Sequence, residues 1–269
     1  MLPPLPLASD GPARIPPPRL PGVVISRTGP DAAIDSALAD LYMQANGCIG
    51  AFGSFHLAVC AAPAAEPALR RLMFDPALRA FPWRRTRLWL TDELALPEDD
   101  ERRRGRTLHD LIVTQSDLPE SQFHEIPAWR EDAAEVYEGV LKEQLGWREK
   151  GHDRLDAVLL VLEESGSMAG FTRGSPALVQ RERLVVREAR GSGPESVTMG
   201  LRLLNATRLI CVVAVGAGVQ PMIRGVEARR GADEHPVLHL SPVGGELRWY
   251  VDEESRGAGG DGGGPVGAA

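Results

Sequence analysis

The sequence predicts an α/β protein in which helices sandwich a mainly parallel sheet, a Rossmann-like arrangement. Short apolar or β-branched runs of strand length alternate with amphipathic segments of helical spacing along most of the chain. This alternation favours right-handed crossovers, which place helices on both faces of a parallel sheet. The chain has 269 residues, of which 43% are hydrophobic, so it can bury a substantial core.

The predicted elements follow one another in the order that crossovers require. A strand at residues 23–26 precedes a helix at 31–46, which we expect to stop at Gly47. The helix is predicted from apolar residues at helical spacing, namely Ile34, Leu38, Leu41 and Ala45. Further strands are predicted at 55–60, 87–91, 157–162, 209–215 and 248–251. Further helices are predicted at 66–73, 133–145 and 220–228.

Both ends of the chain differ in composition from the segment between them. Residues 1–22 are rich in proline, which fixes φ and removes backbone donors, so we predict an extended arm. Two interpretations of this arm stay open: a disordered leader, or a polyproline-type segment in a groove of a partner or of its own domain. Residues 23–253 form the predicted α/β domain, and the Gly-rich residues 254–269 a flexible tail.

Charge and cysteine usage narrow the class of protein. The formal charge of -7 argues against nucleic acid or an anionic membrane as a partner. No apolar run approaches the roughly 18 residues of a membrane helix, and the N-terminus lacks the pattern of a signal peptide. The three cysteines lie in apolar sequence without metal-ligand spacing, so we predict that they are reduced core thiols: Cys48, Cys60 and Cys211. We further predict that the protein has no cofactor and is cytoplasmic.

One loop carries a specific resemblance. Residues 159–176 read LLVLEESGSMAGFTRGSP. This segment resembles the loop LGxGxDGHxASLFPGSP of 6-phosphogluconolactonases and related sugar-phosphate isomerases and deaminases. The matching residues are Gly166, Ala169, Gly174, Ser175 and Pro176. Ser165 stands where the family has Asp, and Ser167 where it has His.

Other segments extend the resemblance over roughly residues 23–253. LLNATR at 203–208 is similar to the family's LLNAAR, and WYVD at 249–252 is similar to its WxxD ending. Asp92 and Glu93 match the acids of the family's GDER, with Leu94 in place of the Arg. The resemblance implies the family's fold and, for an intact member, a lactone hydrolase of pentose phosphate carbohydrate metabolism.

The resemblance also implies that the catalytic set is not intact. The family's loop His is the general base for the attacking water, whereas an unassisted serine hydroxyl is not a base near neutral pH. Ala61 and Ala62 replace glycines of a phosphate loop, so we expect no sugar-phosphate ligand. Ser196 stands where the family has an Arg, and Val219 where it has a Lys. The predicted vestigial pocket comprises Asp92, Glu93, Leu94, Glu163, Glu164, Ser165, Ser167, Ser196 and Val219.

Two of these positions admit a second interpretation. Asp92 and Glu93 suit acid/base chemistry, yet neighbouring residues of a strand face opposite sides. One would then cap the following turn and the other would be solvated.

The run 101–106, ERRRGR, is predicted to be a solvated helix start.

Three functional hypotheses follow. The first is a pseudoenzyme that acts as a protein-binding or structural subunit, with the arm 1–22 and the pocket rim as candidate surfaces. The alternative is an enzyme or sensor with a remodelled pocket that hydrolyses or binds a sugar-derived ligand. Acidic side chains at two neighbouring strand ends would suit an amino sugar or a cation. The third is a lactonase whose catalytic residues have been displaced.

Overall fold

The computed structural model describes residues 16–146, 154–189, 193–229 and 235–257. Its main sheet has seven strands, and every described pair in it is parallel. Across the sheet the strands are β1 (Val23–Ser26), β10 (Glu246–Val251), β9 (Leu209–Ala214), β6 (Ala157–Val161), β2 (Phe55–Val59), β3 (Thr86–Leu90) and β5 (Phe123–His124). The predicted mainly parallel sheet is confirmed.

Helices cover both faces of this sheet. They are α1 (Pro30–Phe52), α2 (Glu66–Phe74), α3 (Arg104–Leu111), α4 (Ala133–Leu145), α5 (Leu201–Leu204), α6 (Gln220–Glu227) and α7 (Glu253–Arg256). On one face Trp89 of β3 packs edge-on against Tyr137 of α4, whose hydroxyl donates to the Leu90 carbonyl at 2.9 Å. Helix α1 packs against β2, β9 and β10. The helical sandwich predicted from the sequence is therefore confirmed.

Helix α1 is longer than predicted. It continues through Gly47 and ends where Gly53 adopts a left-handed φ of 81° and its N–H bonds to the Ile49 carbonyl. The apolar stripe explains the difference, because beyond the glycine Cys48 is buried and Ile49 and Phe52 pack against the core. An interior glycine costs only about 1 kcal/mol relative to alanine, which this burial offsets.

A second sheet of three antiparallel strands lies beyond the end of β3. Its order is β4 (Asp92–Leu94), β8 (Ser196–Met199), β7 (Val185–Glu188). Thr91 joins the two sheets, because its N–H donates to the Val59 carbonyl and its own carbonyl accepts from Met199 N–H. The chain therefore leaves the main sheet at Thr91 and enters the small sheet at Asp92.

Residues near both ends of the described part of the chain contact the domain. Leu20 is buried in the core, and the Trp249 indole N–H donates to the Pro21 carbonyl at 2.7 Å. The last described helix, α7, includes the first residues of the range predicted to be a flexible tail. The predictions for residues 1–15 and 258–269 fall outside the described residues.

Two further expectations can be compared with the described residues. The three cysteines are buried and form no disulfide, as predicted for core thiols: Cys48, Cys60 and Cys211. Burial raises the pKa of Cys211 to about 12. Among the described helices, none has both the length and the apolar character that crossing a membrane requires.

Candidate functional site

The short strand β4 separates the two neighbouring carboxylates. It pairs antiparallel with β8, so that Asp92 lies opposite Thr198 and Leu94 opposite Ser196. Successive side chains of a strand point to opposite faces. Asp92 and Leu94 therefore share one face of the small sheet, and Glu93 lies on the other. The predicted separation of the two acids is confirmed.

Asp92 is held in a buried ion pair. Its carboxylate contacts Nη1 of Arg104 and accepts a hydrogen bond from the Thr91 hydroxyl at 2.9 Å. Both members of the pair are almost inaccessible, with side-chain exposures of 0% for Asp92 and 7% for Arg104. Removing either partner would leave an uncompensated group in the interior, so the pair fixes both side chains in place.

Glu93 caps a helix instead. Its carboxylate accepts backbone N–H groups from Leu94 at 2.7 Å, Arg104 at 2.9 Å and Gly105 at 2.7 Å. Two of these donors are free N–H groups of the first turn of α3. Burial raises the pKa of Glu93 above its ordinary value, although these donors act against the shift. The capping interpretation is confirmed for Glu93, but neither acid is solvated.

A cavity of about 400 Å³ opens beside this pair. Its walls combine Ala61, Ala62 and Pro63 after β2 with Leu94 of β4 and Arg104 of α3. The remaining lining residues are Glu66, Leu69, Arg102, Thr107 and Leu111. The loop after β2, where alanines replace the family's glycines, and Leu94 of β4, which replaces the family's Arg, thus line one largely apolar space.

The loop after β6 is a tight turn with paired hydroxyls. The Ser165 hydroxyl donates to the Ser167 hydroxyl at 2.9 Å and accepts the Ser167 N–H at 3.2 Å. Gly166 has a φ of 80° and donates its N–H to the Glu163 carbonyl at 2.8 Å. The glycine at this position serves the turn geometry, and Ser167 is buried within it.

The base of that loop rests on the small sheet. The Ser196 hydroxyl donates to the Gly170 carbonyl at 3.3 Å, and the Thr198 hydroxyl donates to the Ala169 carbonyl. A Cβ at Gly170 would lie only 2.9 Å from Cβ of Asp92. Asp92 therefore lies between this loop and the cavity, and Ser196 supports the loop.

The other predicted residues lie elsewhere along the loops. Val219 is buried immediately before α6, and the Glu164 side chain lies against Gly218. Glu163 holds the turn through its backbone, which accepts and donates hydrogen bonds within the loop. Among the described residues of the predicted pocket, Leu94 is the one that lines the 400 Å³ cavity.

The prediction of a solvated helix start at residues 101–106 was right about the helix and wrong about two of the arginines. The run does start a helix, but Arg103 and Arg104 are both buried instead of solvated. The Arg103 guanidinium lies 4.2 Å from the Trp129 ring centroid and donates to a Glu125 carboxylate oxygen at 2.6 Å. Sequence reasoning missed Arg104 as a site residue, since consecutive arginines give no signal of which one turns inward.

A histidine also reaches the loop after β6. His235 is buried, and its Nδ1 lies 4.0 Å from the position of a Cβ on Gly166. On the other side of its ring, Nε2 lies 3.2 Å from the position of a Cβ on Gly225 of α6. The sequence gave no reason to place His235 here, because 68 residues of chain separate it from Ser167.

Comparison with known proteins decides the family. A family profile described as "Glucosamine-6-phosphate isomerases/6-phosphogluconolactonase" matches residues 28–249. The chain belongs to this family. Human 6-phosphogluconolactonase is 27% identical over 82% of this chain and 87% of its own length. A rice (Oryza sativa subsp. indica) relative, "Probable 6-phosphogluconolactonase 3, chloroplastic", is 26% identical over 69% of this chain, and the match spans 61% of that relative.

Solved structures of the family share the fold. The 6-phosphogluconolactonase from Trypanosoma cruzi superimposes with a TM-score of 0.74 at 17% identity, covering 88% of this chain and 96% of that one. A monomeric glucosamine-6-phosphate deaminase gives a TM-score of 0.71 at 16% identity, covering 88% of this chain and 99% of that one. At these identities the likeness establishes the α/β architecture.

Proposed function

We propose that this member of the 6-phosphogluconolactonase family does not hydrolyse 6-phosphogluconolactone and acts as a protein-binding or structural subunit. The relatives named above are lactonases by name, so the proposal departs from them in activity while keeping their fold. The proposal depends on the residues at this chain's own site, and the chain remains a member of the family.

The observation that carries this proposal is the environment of Ser167. Its hydroxyl accepts a hydrogen bond from Ser165, the residue that replaces the family's Asp. A general base must remove a proton from water, and a serine hydroxyl has no such capacity near neutral pH. A nucleophilic serine would need an adjacent base, and its hydrogen-bond partner is a second neutral hydroxyl. This hydroxyl pair supports the loss of hydrolysis.

Hydrolysis of 6-phosphogluconolactone by the pure full-length chain tests the proposal. We expect release of 6-phosphogluconate at the spontaneous rate, with human 6-phosphogluconolactonase as the positive control. A rate above the spontaneous one that disappears in Asp92→Asn would overturn the proposal. The matched variant Asp132→Asn, at an exposed carboxylate, guards against a contaminating lactonase, whose activity would survive both changes.

A displaced catalytic base is the second candidate function, and His235 favours it. His235 beside Gly166 would give the loop an imidazole, the side chain most often used as a general base. If the assay detects hydrolysis, His235→Gln should remove it, whereas His109→Gln, on the exposed face of α3, should not. Hydrolysis that survives His235→Gln would exclude this candidate.

We also propose that a groove beside α1 on the outer surface binds a protein partner. Met43 of α1 is 69% exposed and lines a cavity of about 380 Å³ together with Tyr42 and Leu78. Exposed apolar side chains around a groove are a common feature of protein-binding surfaces. A stoichiometric protein that co-purifies with the chain and is lost in Met43→Glu, but kept in Val243→Glu, would support it. Equal retention in both variants would exclude this surface.

A further inference from the structure

A groove of about 600 Å³ runs along the outer edge of the small sheet. All four residues of β7, from Val185 to Glu188, line it, whereas no residue of the fully described strand β8 does. Successive side chains of a strand point to opposite faces, so a cavity that touches all four lies beside the strand. Most of the other lining residues belong to the turn at 176–180 and to the segment 131–135 that leads into α4.

Hydrogen bonding within the small sheet turns some backbone groups of β7 toward this groove. The Leu184 carbonyl accepts the Gly200 N–H at 2.7 Å. In an antiparallel pair every second residue bonds to the partner strand, so the next residue of β7 that bonds to β8 is Val186. The N–H and C=O groups of Val185 and Arg187 therefore point away from β8.

Three of these four backbone groups form no hydrogen bond within the described part of the chain. The Val185 N–H donates to the Glu138 carboxylate of α4 at 3.3 Å. The Val185 carbonyl and both groups of Arg187 have no such partner among the described residues. An unpaired strand edge is a template for a further strand, and these three groups suffice for three main-chain hydrogen bonds with it.

The charges around the groove favour a basic side chain on that strand. Three carboxylates and two guanidinium groups line it. Both guanidinium groups are already paired, because Arg183 lies 2.7 Å from Glu135 and Arg187 lies 3.1 Å from Glu195. Glu131 is exposed and forms no ion pair with a described residue. The groove therefore offers a carboxylate to a positively charged partner.

We propose that the edge of β7 binds an extended peptide of a partner protein, which adds a fourth strand to the small sheet and places a lysine or arginine against Glu131. Main-chain hydrogen bonds hold such a peptide, and the valine, alanine and proline side chains of the groove fit its apolar residues. Resting on the proposed function, this inference names the kind of partner, at a surface separate from the groove beside α1.

Backbone-modified peptides test whether the ligand binds as a strand. The probe is the fluorescein-labelled hexapeptide TVKVTV, whose binding to the full-length chain is measured by fluorescence anisotropy. Alternate N–H groups of an added strand face β7. N-methylation of the three valines, or else of the three other residues, should therefore weaken binding about tenfold, and the second modification should not. The absence of saturable binding, or equal effects of the two modifications, would overturn the proposal.

A charge exchange tests the contact with Glu131. Glu131→Lys should weaken binding of TVKVTV about fivefold and strengthen binding of TVEVTV by a similar factor, as expected for an exposed ion pair. Glu143→Lys, at an exposed carboxylate of α4 outside the groove, changes the net charge equally and should leave both affinities unchanged. Equal effects of the two variants would contradict the position of the basic side chain.

Substitutions of Arg187 separate its backbone from its side chain. Arg187→Pro removes the outward N–H, a change that an edge strand tolerates, whereas Arg187→Ala removes the same side chain and keeps the N–H. We expect Arg187→Pro to bind TVKVTV about tenfold more weakly than Arg187→Ala, with equal circular dichroism spectra. Equal affinities would show that the peptide does not pair with β7.

Sedimentation of the chain distinguishes a peptide from a second copy at this edge. A dimer that dissociates in Arg187→Pro but not in Arg187→Ala would assign β7 to self-association and overturn the proposal. We expect that Arg187→Pro leaves the oligomeric state unchanged. Hydrolysis of 6-phosphogluconolactone would refute the proposed function, whereas the absence of peptide binding would refute the present inference alone.

Discussion

Each end of the seven-stranded sheet holds a fully buried aspartate paired with an arginine. At the amino ends of the strands, Asp156 accepts the His56 N–H at 2.7 Å and lies 3.3 Å from Arg208. At the carboxyl ends, Asp92 pairs with Arg104. The two carboxylates are equally inaccessible to solvent, so burial alone does not distinguish a structural pair from one at a site.

The surroundings of the two arginines make the difference. The Arg208 guanidinium lies 4.5 Å from the Phe52 ring centroid, so its pair joins the end of α1 to β2 and β6. Arg104 instead borders the 400 Å³ cavity. A buried Asp–Arg pair therefore fixes strand register where packing closes around it, and forms part of a cavity wall at the carboxyl ends of the strands.

The largest effect is expected at the amino-end pair. Asp156→Ala removes the acceptor for the His56 N–H and leaves Arg208 without its carboxylate. Breaking a buried ion pair costs about 3–5 kcal/mol of unfolding free energy, which urea denaturation would measure. Asp132→Ala, at an exposed pair with Arg130, should leave the midpoint unchanged. Similar midpoints for both variants would show that the amino-end pair is not structural.

The histidine stacked on Trp89 of β3 should make the unfolding free energy depend on pH. His124 stacks on Trp89 at 3.8 Å between centroids, and burial, aided by nearby Arg87, lowers the pKa of His124 to about 4. The unfolded chain, with a histidine pKa of about 6.5, binds the proton more readily. The unfolding free energy should therefore fall as the pH drops from about 6.5 to about 4, by about 3 kcal/mol at most.

The variant His124→Phe keeps a ring in the stack and removes the titration. Chemical denaturation at several pH values should show a flatter acid limb for this variant than for the parent. An unchanged slope would assign the acid sensitivity to other groups.

Two glycines of the loop after β6 test its coupling to the carboxyl-end pair. Gly170 and Gly174 both have left-handed φ, at 78° and 72°. An alanine at Gly174 meets open space and should cost about 1 kcal/mol. An alanine at Gly170 would press on Cβ of Asp92 and should cost about 1–2 kcal/mol more. Equal unfolding free energies of the two variants would contradict the contact with Asp92.

The alternation of apolar and amphipathic segments was sufficient to predict the sheet and most helices. The bounds of α4 match residues 133–145, because its buried positions recur at helical spacing. The stop predicted at Gly47 was wrong, since the buried stripe outweighs one glycine. The three-stranded sheet was not predicted, because its strands are three or four residues long and pair with distant segments.

The candidate site was less predictable than the fold. That Asp92 and Glu93 face opposite sides follows from strand geometry. Leu94 was predicted to lie in a pocket, and it lines the cavity that Ala61 and Ala62 also line. The burial of Arg104 depends on the path of residues 95–103, which carries no periodic pattern. His235 reaches the loop through tertiary packing alone, so no local signal marked it.

Hydrolysis of 6-phosphogluconolactone by the pure full-length chain tests the central claim most directly. We expect 6-phosphogluconate to be released at the spontaneous rate, because the serine that stands where the family has its histidine cannot act as a general base. A rate above the spontaneous one that is lost in Asp92→Asn but kept in Asp132→Asn would contradict the proposal.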